Sequence, residues 1–205
     1  MTGKFITFEG CEGAGKTTQC RILLEYLKSK NIPVVITKEP GGTELANHIR
    51  NIIVSDYEIS DTMTEFLLIS AARRDHIQNL ILPNLLAGKV VICDRFFDSS
   101  IIYQGYCKGL NMNFIHYVND HVSPIVPDIT FILDLDPEIA KKRVLDRNSS
   151  MSHYDKRDIE FYKRIREGFL HLKVKDGDRF NIVDASLPED SVAIQVIENM
   201  KNILT

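Results

Sequence analysis

The sequence predicts a three-layer α/β domain, with a five-stranded parallel sheet flanked by helices. Three observations point there. Short apolar runs alternate with longer stretches of helical spacing, which calls for parallel strands covered on both faces. The first run feeds a glycine-rich segment, FEGCEGAGKTTQ (Phe8 to Gln19), that opens a helix. No repeat, low-complexity stretch or linker interrupts the 205 residues, so 1–205 reads as one domain.

Each element has a local signal. FITF (Phe5 to Phe8) is the first buried strand. Ile22, Leu23, Tyr26 and Leu27 give the next stretch, from about Lys16 to Lys30, its helical period. PVVIT (Pro33 to Thr37) is the second strand, and the KEPGGT turn leads to a helix start at Thr43 that covers roughly 44–54. A long helical pattern runs from Asp61, a good N-cap, to Ala87, with a kink expected at Pro83.

KVVIC (Lys89 to Cys93) is the third strand, and helical segments follow at about Ser99 to Tyr106 and Asn111 to His121. DITFILDL (Asp128 to Leu135) is the fourth strand; Asp136-Pro137-Glu138 then caps a helix to about Arg147. NSSMSH is polar and loop-like. A charged helix from about Asp155 to Lys173, a fifth strand near Asn181 and a closing helix from Pro188 complete the chain.

Composition narrows the class. Lys and Arg number 25 against 28 Asp and Glu, a formal charge of −3, so no broad nucleic-acid-binding surface is implied and any basic chemistry is local. Cys11, Cys20, Cys93 and Cys107 show no paired spacing, which predicts reduced thiols and no cysteine metal site. The N-terminus already reads as a strand, and no apolar run is long enough to span a membrane. A cytoplasmic protein without a membrane partner is the expectation.

Gly10 to Thr17 match G-x-x-x-x-G-K-[ST], between a strand and a helix. This is the phosphate-binding loop of the P-loop NTPase fold. Its backbone N–H groups and the helix N-terminus favour anions, Lys16 reaches the β- and γ-phosphates, and Thr17 can ligate Mg²⁺. Glu12 stands inside this loop. A carboxylate about 5 Å from a phosphate charge costs roughly 3 kcal/mol at an effective dielectric of 20. Glu12 should therefore face an acceptor hydroxyl or an arginine such as Arg95 or Arg143.

The loop leaves the phosphate acceptor open. A guanine-reading switch would carry N-K-x-D, which is absent from the sequence. In ICDRFFDSSIIYQG (Ile92 to Gly105), Asp94 and Arg95 follow a strand directly and sit at the sheet's carboxyl edge. Asp94 suits Mg²⁺ and its water; Arg95 suits bidentate grip on a phosphate. Asp98, Ser99, Ser100, Tyr103 and Gln104 add polar groups beside a helix start. In FLLISAARRDH (Phe66 to His76) one arginine can face a cleft while the other is solvated. Glu39 and Pro40 lie in KEPGGT, whose backbone can approach a substrate closely.

In this order and spacing, FEGCEGAGKTTQ, KEPGGT, the LLISAARRDH stretch and DRFFDSSIIYQG resemble the bacterial class of thymidylate kinases, and the resemblance extends over essentially the whole chain. It includes LDLDPE (Leu133 to Glu138) and IRE (Ile165 to Glu167). The resemblance implies transfer of the ATP γ-phosphate to dTMP with Mg²⁺, and a homodimer packed through helices. It further implies that Gly10, Cys11, Glu12, Gly13, Ala14, Gly15, Lys16, Thr17 and Thr18 hold the donor phosphates. Glu12 would approach the acceptor's 3′-hydroxyl, Arg95 bridge the phosphates and Arg73 read the thymine edge. Tyr103 and Gln104 would lie beside sugar and base, and Arg50 at the acceptor phosphate.

The chain departs from that family's pattern in three places. Ile69 stands where an aromatic residue usually stacks on thymine. Ser100 stands where some members carry Asn. In the lid, at about 147–157, the acidic-basic-aromatic-acidic run appears as Ser152-His153-Tyr154-Asp155, so Arg143 and Arg147, with Lys156 and Arg157 nearby, must supply the positive charge; Arg147 is the first choice for the transferring cation. A deoxynucleoside kinase, another nucleoside monophosphate kinase and a nucleotide-dependent switch remain as alternatives. KEPGGT with Arg50 and Arg73 favours a monophosphate acceptor, which needs extra cations.

Overall fold

The structure, a computed structural model, describes residues 3–55, 59–146 and 152–204. Five strands pair in parallel in the order β2-β3-β1-β4-β5. They are β1 (Lys4–Glu9), β2 (Val34–Lys38), β3 (Val90–Asp94), β4 (Ile129–Asp134) and β5 (Phe180–Asp184). The predicted five-stranded parallel sheet is the one observed, with β1 and β5 longer than their apolar runs suggested. Polar residues Glu9, Lys38 and Asp94 end neighbouring strands, so the sheet's carboxyl edge is charged.

The pleat separates side chains along each strand. Phe5 joins Val91, Cys93 and Phe96 in one cluster, with Ile77, Ile81 and Leu85 packed above them. Ile6 and Phe8 point the other way, into a larger cluster with Cys20, Leu23, Phe131 and Phe169. Thr7 is buried on β1, and its Oγ1 pairs with Thr130 Oγ1 at 2.8 Å, which satisfies both hydroxyls. All four cysteines are buried and free.

Helix starts follow their capping residues. α1 (Lys16–Ser29) begins after Gly15, whose φ of 92° is left-handed. Thr43 accepts from Ala46 N to start α2 (Glu44–Ile53), and Asp61 accepts from Thr64 N to start α3 (Thr62–His76). The irregularity expected at Pro83 takes the form of a change of helix type just before it. A π-helical turn at Ile77–Ile81 precedes α4 (Leu82–Leu86). Proline gives no N–H and crowds the carbonyl one turn back, and a widened turn absorbs that defect. Asn84 Nδ2 bonds the Leu80 carbonyl at 2.8 Å within the same stretch.

The helix expected at 99–106 is also different. It is a single turn, α5 (Phe97–Ser100), continuing into a π-helical turn at Ile101–Cys107. Then come α6 (Met112–Val122) and α7 (Pro137–Leu145), the latter capped by Asp136 as expected. α8 spans Ile159–Asp176, not 155–173: Asp158 caps it by accepting from Phe161 N, while Asp155 accepts from Ser152 N and Oγ in a turn of its own. A short 3₁₀ turn leads to β5, and α9 (Glu189–Leu204) closes the chain. Among the described residues, no helix is long and apolar enough to cross a membrane.

Candidate active site

A cleft of about 1280 Å³ opens along the carboxyl edge of the sheet. One small-molecule pocket typically occupies ~300–1,000 Å³, so this cleft has room for two ligands. The phosphate loop floors one half. Gly13 (φ 81°) must be glycine on two counts: its φ is left-handed, and a Cβ would lie 2.4 Å from the Ala140 carbonyl oxygen on α7. Lys16 curls over the loop, its Nζ donating to the Gly10 and Cys11 carbonyls at 3.0 and 2.7 Å. Burial, then Arg95, lowers its pKa. Cys11 is 3% exposed, and burial pushes its thiol up to about 11, so it serves the loop through its backbone. Gly15, Thr18 and Arg143 line the same half, Arg143 held by the Ala185 carbonyl at 3.2 Å.

Glu12 turns away from that half. It accepts from Arg95 Nη2 at 2.9 Å and from Tyr103 OH at 2.9 and 3.0 Å. Arg95 occupies the left-handed region, φ 73°, immediately after β3. It is pinned by donating to Gly10 O and Ser99 Oγ, at 3.2 and 3.1 Å, and its charge centre lies 4.9 Å from the Tyr103 ring. Burial works against its charge, but Tyr103, Glu12, Glu9 and Asp94 more than offset that and hold the guanidinium protonated.

Behind it, Glu9 accepts from Phe96 N (2.8 Å), Ser99 N (3.2 Å) and Ser99 Oγ (2.6 Å). The first strand thus fixes the segment that carries Arg95. Thr17 Oγ1 donates to Asp94 Oδ2 at 2.5 Å at the cleft mouth. A hydroxyl and a carboxylate are hard oxygen donors of the kind Mg²⁺ takes alongside phosphate and water. No group of three or more His, Cys, Asp or Glu placed to hold a metal occurs among the described residues.

The other half is built from α2, α3 and the π-helical turn. Arg73 is 1% exposed and spends its N–H groups on Glu39 Oε2 (2.7 Å), Asn119 Oδ1 (3.3 Å), Phe96 O (3.3 Å) and Ser100 Oγ (3.0 Å). A guanidinium has five N–H groups, so one has no partner among the described residues, and Arg73 lines the cleft. His76 bonds Glu39 Oε1 at 3.1 Å and Thr37 Oγ1 at 2.7 Å. Burial alone would raise the Glu39 carboxyl, but Arg73 and His76 bring it below its ordinary value.

Arg74, one residue on, is the solvated member of the pair and donates to the Val122 carbonyl. Arg50 donates to Pro40 O at 2.8 Å and has no carboxylate partner among the described residues. Burial and the charge of Arg95 lower its pKa, so two arginines crowd one cleft. Ile69 (8% exposed) and Gln104 complete the wall.

A sequence model described as Thymidylate kinase matches residues 8–196. The chain belongs to the thymidylate kinase family. A thymidylate kinase of Exiguobacterium sibiricum is 41% identical over 207 residues, covering 100% of this chain and 96% of that protein. One of Onion yellows phytoplasma is 43% identical over 202 residues, covering 97% of each. The crystal structure of thymidylate kinase from Ehrlichia chaffeensis superposes with a TM-score of 0.81 at 38% identity, covering 97% of this chain and 98% of that one.

Most of the residues expected from the family's motifs line this one cleft; Gly10 and Cys11 lie instead along a small neighbouring pocket, and Lys156 and Arg157 are not on the cleft wall. Arg147 lies outside the described residues, as do the first residues of the 147–157 lid. His153 does not line the cleft: its ring is buried, 4.2 Å from that of Tyr154, whereas Ser152, Tyr154 and Asp155 do line it. Sequence reading passed over Glu9, Glu65 and His76. Glu65, Ile69 and Arg73 fall at i, i+4 and i+8 on α3, one stripe of the helix, and that spacing could have flagged Glu65.

Proposed function

We propose that this chain transfers the γ-phosphate of ATP to dTMP, giving ADP and dTDP for the supply of dTTP. The single observation that carries the reading is the direction of Glu12. The loop's acid is turned from Lys16 to Arg95 and Tyr103, on the side where Arg50 stands without a carboxylate partner among the described residues. Two crowded arginines are relieved by an anion placed between them, and a nucleoside monophosphate brings one.

In this reading Gly10 to Thr18 and Arg143 cradle the triphosphate. Lys16 leaves its two loop carbonyls for the β- and γ-oxygens. Arg95 spans donor and acceptor phosphates and neutralises charge on the transferring group, work that needs only fixed positions. Glu12 receives the acceptor's 3′-hydroxyl, and Arg50 takes its phosphate. Glu39 and Pro40 frame the acceptor from below; Ile69, Arg73, Ser100, Tyr103 and Gln104 surround the base and sugar. Thr17 and Asp94 would hold Mg²⁺, which when bound shields the phosphate oxygens.

The whole chain acts as one catalytic domain in this account, since β1 from the N-terminus pairs between β3 and β4. Residues 147–157 serve as its lid, with Arg147 as the lid's transferring cation. A cytoplasmic homodimer without a nucleic-acid or membrane partner goes with the reading, and light scattering in solution checks the dimer. ADP release measured over dTMP, dUMP, dCMP, dGMP and thymidine tests the function. Turnover with dTMP and little with thymidine is the expected pattern; turnover with thymidine and not dTMP would make the protein a nucleoside kinase.

A further inference from the structure

We propose that Glu65 is a specificity-determining positioning residue, which locks the Gln104 amide so that its carbonyl oxygen faces the acceptor base. The inference rests on the functional reading above and concerns how the same cleft separates one pyrimidine from another.

Glu65 lies on α3, one turn before Ile69, and is 1% exposed. Its Oε2 takes the Lys108 ammonium at 2.5 Å. Its Oε1 accepts from the Tyr154 hydroxyl and from Gln104 Nε2, the latter at 3.1 Å. Gln104 Nε2 also donates to Tyr154 OH at 3.2 Å, and Lys108 stands 4.9 Å from the Tyr154 ring centre. A carboxylate paired with an ammonium offers only lone pairs, so Gln104 must turn its NH₂ towards it. Both amide hydrogens are then spent. Oε1 is then the one side-chain polar atom of Gln104 without a partner among the described residues, and Gln104 lines the cleft.

The consequence is chemical. A pyrimidine-2,4-dione carries a hydrogen on N3, which a carbonyl oxygen accepts. A 4-aminopyrimidine carries a lone pair there, which a carbonyl oxygen repels. The uncommitted N–H of Arg73 strengthens the choice, since O4 of the dione accepts and the 4-amino group donates. Were the amide free to rotate by half a turn, Gln104 would present NH₂ instead and would fit the amino base. Nothing in the shape of Gln104 prevents that rotation; the charge on Glu65 does.

The test compares kcat/KM for dTMP, dUMP and dCMP in the full chain and in Glu65→Gln and Lys108→Gln. In Glu65→Gln the dTMP:dCMP ratio should fall by about ten- to a hundredfold, chiefly through KM for dTMP. KM for ATP and the dTMP:dUMP ratio should stay put, because both of those acceptors carry N3–H; general structural damage would not respect that distinction. Lys108→Gln should move the ratio the same way by less. An unchanged dTMP:dCMP ratio in folded Glu65→Gln overturns the proposal, and if that variant does not fold, an unchanged ratio in Lys108→Gln overturns it. A wild-type chain with no preference for dTMP over dCMP overturns the functional reading itself, and this inference with it.

Discussion

Arg95 Nη2 lies 2.9 Å from Glu12 Oε1, so the acid of the phosphate loop and the arginine at the end of β3 form an ion pair across the cleft. Both partners are mostly buried, with side-chain exposures of 18% and 14%. The pair joins the two halves of the cleft: the glycine loop after β1 and the segment after β3. Arg95 also reaches Gly10 O, so its position is set before any substrate arrives. Preorganised charge of this kind acts on the transition state without reorganisation during reaction.

Arg95→Ala should therefore lower kcat by about 10²–10³, as for loss of a preorganised donor, while leaving the chain folded. Steady-state kinetics beside a thermal melt check this. A kcat near wild type would remove Arg95 from the reacting centre.

The Arg73–Glu39 pair makes a different demand, since its side chains are 1% and 2% exposed. Removing one partner strands a buried charge. Glu39→Ala should cost about 3–5 kcal/mol of stability. Urea unfolding measures it. A loss under ~1 kcal/mol would mean that the guanidinium finds other partners.

Ile69, on α3, lines the cleft with only 8% of its surface exposed. Ile69→Phe should tighten dTMP binding by about 0.5–1.5 kcal/mol if the ring stacks on thymine. Calorimetric titration of dTMP gives the answer, and an unchanged or weaker Kd would refute the stacking argument.

Glu9 supplies a pH dependence. Burial, reinforced by Asp98, pushes its carboxyl up to about 7, against roughly 4.3 for an unperturbed glutamate. Between those values the native chain holds a proton that the unfolded chain has released. Stability from this group is thus complete below the lower value and is lost as pH rises through 7. Glu9→Gln removes the slope. Its stability relative to wild type should increase from pH 5 to pH 7 by at most about 1.4 kcal/mol per unit. Urea midpoints at three pH values check the sign, and parallel curves would show that Glu9 does not titrate there.

What was legible in the sequence was local. The phosphate loop, the strand-end Asp94-Arg95 and the caps Thr43, Asp61 and Asp136 each depend on a few adjacent residues, and each formed as read. The parallel sheet followed from the alternation of elements. The π-helical turns were not legible, because widening a turn answers to packing as well as to Pro83. Nor were the pairings that finish the site: Gln104 with Glu65 spans 39 residues and Ser99 with Glu9 spans 90. Such contacts are made by the fold, and no spacing rule reaches that far. Asp155 shows the opposite error, a residue of helical type whose carboxylate was taken by Ser152, leaving Asp158 to cap α8.

The most direct measurement is ³¹P NMR of the purified chain with ATP, dTMP and Mg²⁺. The account predicts that resonances of ADP and of a new nucleoside diphosphate, dTDP, grow together as ATP and dTMP decline. Growth of inorganic phosphate with ADP while dTMP remains intact would contradict it and leave a nucleotide hydrolase in its place.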